Sequence, residues 1–158
     1  MLEVIERKWA LKLTLGVDIT LKDIILNEIK SEVHLIMWDI VGQNKYELTF
    51  RMFFQGSSGA LLIYDITRYS TFKQITSKWL GDFKNFGRSD GVYILMGNKS
   101  DLKDSIIVAY KEGKKLSEEI DAVDFGETSA KYGENVEKAF RSLATLVLNK
   151  SGTKIKLD

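Results

Sequence analysis

The chain has 158 residues, 44% of them hydrophobic, and 23 Lys and Arg offset 22 Asp and Glu to leave a formal net charge of +1; this suits one globular domain with its own core and excludes the basic field of a nucleic-acid or membrane-surface binder. It contains no cysteine, which excludes disulfides, zinc thiolates, a cysteine nucleophile and a prenyl or palmitoyl anchor on these residues. No apolar run is long enough to span a bilayer, and MLEVIERKW lacks a signal-peptide core, so the expected location is cytoplasmic, with membranes reached only through partners.

In chain order, the opening MLEVIERKWALK spaces its apolar residues as a helix does. LTLGVDITLKDIILNE (13–28) and SEVHLIMWDI (31–40) are rich in strand formers and separated by two residues, which predicts a hairpin. GALLIYDI (59–66) and GVYILMGN (91–98) are short and almost wholly apolar, the pattern of parallel strands covered on both faces. Between them Phe72, Ile75, Trp79, Phe83 and Phe86 recur at three- and four-residue steps and lay one stripe along a helix. YKEGKKLSEEI (110–120) reads as a solvated helix face, AVDF (122–125) as a short strand, and 135–149 as a last helix with Val136, Phe140, Leu143 and Val147 on one side. His34, mid-strand with no triad partner or metal cluster near it in sequence, reads as structural. Alternating strands and helices predict an α/β, doubly wound sheet, in which ligands sit beyond the carboxyl ends of the strands.

Those ends carry the informative residues. GNKSDL (97–102) and ETSAKYGENVEKAF (127–140) follow two of the strands. They resemble the guanine-reading Asn-Lys-x-Asp and Ser-Ala-Lys loops of the Ras superfamily of small GTPases. The resemblance implies that Asp101 accepts from the ring N–H and exocyclic amine of guanine, a pair adenine cannot offer; an acceptor left unpaired costs about 1–3 kcal/mol, enough to discriminate. It further implies that Asn98 braces the loop, Ser129 belongs to the second loop, the Ala130 N–H meets the guanine carbonyl, and the Lys99 and Lys131 stems cover the two base faces.

Upstream, WDIVGQN (38–44) is similar to the family's Asp-x-x-Gly-Gln turn, and TLGVDI (14–19) to the first switch of its Rab branch. This implies GTP and GDP as ligands with Mg2+ as cofactor, Thr14 and Asp39 as the magnesium residues, Gly42 against the terminal phosphate, and Gln43 as the catalytic residue that orients water. Ile40, Val41 and Asn44 depart from the family's usual residues but carry none of this chemistry. FRMFFQGSSGALLIYDITRYSTF (50–72) also reads Rab-like, and Ile19, Trp38 and Phe53 fall where that branch meets effectors, exchange factors and activating proteins. A plain core role for the three stands beside that reading.

One family part is not found in these residues. The apolar strand and Gly-x-x-x-x-Gly-Lys-Ser/Thr loop expected before the first helix do not occur, and EGKKL (112–116) has the wrong context. The expected architecture is therefore the three-layer, mostly parallel small-GTPase sheet missing its first strand, over residues 1–148, with a polar tail 149–158. The missing strand would lie between the strand ending near Trp38 and GALLIYDI, leaving two open edges. Either Met1 is internal to a longer GTPase, or the chain is a relative without a phosphate loop that serves as a protein-interaction scaffold.

Overall fold

The computed structural model describes residues 17–26, 31–40 and 54–152. Two sheets form among them. β1 (Val17–Leu26) and β2 (Ser31–Ile40) pair antiparallel, with Ile19 opposite Trp38 and Asp23 opposite His34. β3 (Gly59–Asp65), β4 (Val92–Asn98) and β5 (Asp124–Thr128) form a parallel sheet in that order. The α/β class holds, and the hairpin and the parallel sheet share no strand pairing among the described residues.

Parallel neighbours need crossovers, and helices supply them. β3 leads to α1 (Tyr69–Gln74), a π-helical turn (Ile75–Trp79) and α2 (Leu80–Phe86). The sequence predicts one uninterrupted stripe here. The π turn inserts a residue and rotates the next helical turn, so Leu80 joins Ile75 and Phe83 in the core. After β4 come a 3-10 turn (Lys103–Ser105) and α3 (Tyr110–Glu119), whose start is held by Glu112 Oε2 accepting from the Ala109 N–H at 2.8 Å. α4 (Val136–Lys150) closes the described chain. β5 begins two residues later than AVDF suggests, because Ala122 and Val123 complete the turn before it.

The alternating faces of β3 and β4 set the layers. Leu62, Tyr64, Tyr93 and Leu95 pack with Ile75, Leu80, Phe83, Val108 and Ile120 on one side. Leu61, Ile94 and Met96 meet Ala139, Leu143 and Leu146 of α4 on the other. Fully burying one aliphatic side chain, as at Ile94 or Leu95, contributes about 1.5–3 kcal/mol. α4 has a second apolar stripe: Phe140, Ala144 and Leu148 pack against Ile24, Leu26, Val33 and Leu35 of the hairpin. Lys22 reinforces this contact, with Nζ 2.7 Å from Glu137 Oε2 and over the Phe140 ring. One helix thus joins the hairpin to the parallel sheet, and that fixes where the strand ends stand.

Candidate functional site

The parallel register brings Asp65, Asn98 and Thr128 into one row at the carboxyl ends of β3, β4 and β5. Three loops spring from this row. In the first, the Asp65 carboxylate is only 6% exposed and every polar need is met locally. Its Oδ1 accepts from the Thr67 N–H (2.9 Å) and hydroxyl (2.6 Å), and its Oδ2 from Arg68 Nε (2.8 Å) and Lys99 Nζ (2.7 Å). Burial alone would raise its pKa; the donors from Lys99, Thr67 and Arg68 outweigh that and hold it at about 2.

The second loop turns at Lys99, whose φ of +74° lies in the left-handed region that a long side chain rarely enters. The turn is secured when Leu102 N–H donates to the Lys99 carbonyl (2.9 Å) and Ser100 N–H to the Thr128 carbonyl (3.0 Å). Asn98 and Asp101 then face the third loop. Ala130 N–H donates to Asn98 Oδ1 at 3.0 Å, and the Thr128 hydroxyl to the same oxygen at 3.3 Å. Ser129, fully buried, donates from Oγ to Asp101 Oδ1 at 2.6 Å. The third loop is closed by Ser129 N–H on the Glu134 carbonyl and by positive φ at Gly133 and Asn135. Lys131 is exposed, with Nζ 4.9 Å from the Tyr132 ring centre; a hydrogen bond with Tyr132 raises its pKa.

The structure therefore brings together Asn98, Lys99, Asp101, Ser129 and Ala130, with Lys131 at their rim. It also gives the Ala130 N–H a protein partner, Asn98, where the sequence suggests a donor aimed at a ligand. Buried N–H groups are paired, so a ligand carbonyl reaching this donor would have to share it with Asn98 or take it over. Asp101 keeps acceptor capacity, since a carboxylate has two oxygens and Ser129 engages one lone pair.

Asp39, the penultimate residue of β2, is exposed and offers the hard oxygen donor that magnesium takes. Thr14, Gly42, Gln43 and Phe53 lie outside the described residues. Ile19 and Trp38 are 54% and 40% exposed and face each other across the hairpin; of the two readings open for them, surface and core, they stand at the surface. Leu21 and Ile36 extend the same exposed face.

Two groupings escape the motif reading. Asp65 is the acid that ends β3, and the strand-end rule that draws notice to Asp39 applies equally to it. His34, read as structural, is exposed and takes part in a cross-strand pair that the sequence reading does not place beside it, with Nδ1 2.6 Å from Asp23 Oδ1 and Glu32 on the same face. The cross-strand register supplies these neighbours, which sequence adjacency does not show. No described helix is long and apolar enough to cross a membrane.

Comparison with known proteins gives a consistent result. The sequence model of the Ras family matches residues 6–149. The Ras-related protein RABA6b of Arabidopsis thaliana is 40% identical over 149 residues, covering 93% of this chain and 62% of that protein. The Ras-related protein Rab-10 of Diplobatis ommata is 36% identical over 141 residues, covering 89% of this chain and 68% of that protein. The chain thus spans about two thirds of the length of the curated relatives it matches.

Proposed function

The chain belongs to the Ras family and is a Rab-like small GTPase, and on that premise we propose that it binds GTP and GDP as a molecular switch and hydrolyses GTP. The observation that supports this best is the joining of two loops distant in sequence, in which Ser129 anchors Asp101 and Asn98 anchors Ala130. Such cross-bracing holds an acceptor pair and an amide donor at fixed separation, as recognition of one base edge requires.

In this reading Asp101 accepts from the ring N–H and exocyclic amine of guanine, and the Ala130 N–H passes from Asn98 to the guanine carbonyl. The stems of Lys99 and Lys131 bound the base above and below. Asp39 and Thr14 would hold magnesium, which when bound neutralises charge on the phosphate oxygens. Gly42 would present its N–H to the terminal phosphate, and Gln43 would orient the attacking water. Residues 1–148 act as the nucleotide-binding unit, ahead of a polar tail. Effectors, exchange factors and activating proteins would meet the Ile19, Trp38 and Phe53 surface.

Competition against fluorescently labelled GDP in magnesium tests the reading. GTP and unlabelled GDP should displace the probe while ATP does not; equal displacement by ATP, or no uptake of labelled GDP, contradicts it. A second reading, a scaffold that works without nucleotide, is favoured by one observation: the hairpin shows solvent an apolar face of Ile19, Leu21, Ile36 and Trp38. Failure of every nucleotide to bind leaves that reading standing.

A further inference from the structure

We infer that Asp65 is a positioning residue for base recognition, acting through Lys99; this rests on the guanine reading above. Asp65 sits at the end of β3, and Lys99 follows Asn98, its register neighbour at the end of β4. The left-handed turn at Lys99 carries its side chain back toward β3, where Nζ reaches Asp65 Oδ2 at 2.7 Å. A positive φ on a lysine is unfavourable and persists only where surrounding contacts impose it.

The consequence is a strut. The lysine stem is fixed at one end by the turn and at the other by a buried carboxylate, so its methylenes form a wall held in place before any ligand arrives. A free lysine would lose much of its rotamer freedom on covering a base; one already tethered loses less, and affinity rises accordingly. The carboxylate is itself held rigidly. Thr67 engages one oxygen through two donors, and Arg68 shares the other oxygen with Lys99. This gives Arg68 a role as a brace of Asp65.

Asp65→Asn tests this without changing size. Its amide has one oxygen, so it can accept from the Thr67 side or from the two cations, but not from both. Magnesium-dependent affinity for labelled GDP should fall about tenfold in Asp65→Asn. Lys99→Met, which keeps the stem and removes only the ammonium, should lose a similar factor without touching Thr67 or Arg68. Because the two act on one contact, the double variant should lie within about twofold of Lys99→Met alone. Preference for GDP over ADP should persist in all three, since Asp101 is untouched. Independent, multiplying losses, or wild-type affinity in Lys99→Met, would overturn the positioning role while leaving guanine recognition intact. Absence of labelled-GDP uptake by the unaltered chain overturns the guanine reading itself, and the role of Asp65 with it.

Discussion

Ser129 Oγ donates to Asp101 Oδ1 at 2.6 Å from a position with no solvent exposure, tying together two loops that are 28 residues apart in sequence. The bond is short because its acceptor is charged, and charge-assisted bonds contribute about 1.5–3 kcal/mol. Ser129→Ala removes the donor, and with it the hydroxyl that accepts from the Tyr132 N–H at 3.3 Å. The variant should lose about 1–2 kcal/mol in urea denaturation. A midpoint equal to that of the parent would mean that the loops are held by backbone bonds alone.

A second expectation concerns the core under the site. The Tyr64 hydroxyl is buried and has no hydrogen-bond partner among the described residues. Gly113 of α3 faces it so closely that a Cβ there would stand 2.1 Å from this hydroxyl and 2.6 Å from Phe125 Cζ. Gly113→Ala gains about 1 kcal/mol of helix propensity but overpacks a filled core at about 1–3 kcal/mol, so a net loss is expected. Tyr64→Phe removes an unsatisfied polar group and should be neutral or stabilising. It should also soften the Gly113→Ala defect, a non-additivity that thermal unfolding of the two single variants and the double variant would show. Strict additivity would mean that the tyrosine hydroxyl is not what obstructs the alanine.

Acid titration gives a third. The Asp65 carboxyl is held at about 2 in the fold against 3.8 for the free group. Its folded value is depressed, so its contribution is present above about pH 4 and is lost as pH falls toward 2. Burial is nearly complete, and the contribution is roughly 2 kcal/mol at most. Stability measured from pH 5 down to pH 2 should fall less steeply in Asp65→Asn than in the parent. Parallel curves would contradict the assignment.

His34 has the opposite sign. Its hydrogen bond to Asp23, together with the charges of Asp23 and Glu32, raises its pKa above 6.5. Its favourable interaction is therefore present below that pH and fades as pH rises through the folded value. NMR titration of the imidazole should show a lower pKa in Asp23→Asn; an unchanged value would mean that the cross-strand pair does not persist in solution.

These residues also show where sequence reading succeeds and where it stops. β4 is legible because a strand covered on both faces must be apolar throughout, and Leu95 and Ile94, buried on opposite faces, are the outcome; β3 carries the same apolar pattern, but its Ile63 is 52% exposed. That Asn98, Asp101, Ser129 and Ala130 come together at the strand ends is legible through the resemblance of their two loops to those of the Ras superfamily. β5 is less so. At the edge of the sheet and only partly covered, DFGET carries little apolar signal, and Val123 just before it is 46% exposed. The π turn escapes prediction because the register of Leu80 is settled by packing rather than by local preference. Asp65 with Lys99, and Asp23 with His34, pair across strands, so only the sheet register reveals them.

Guanine reading by Asp101, as proposed, is tested most directly by exchanging the chemistry of that side chain. Asp101→Asn replaces one acceptor oxygen with a donor, which suits the carbonyl that xanthine carries in place of the guanine amine. Competition of GDP and XDP against a labelled probe should show the parent preferring GDP and the variant shifting toward XDP by tenfold or more, about 1.4 kcal/mol. An unchanged ratio, with binding retained, would show that this carboxylate does not face the base.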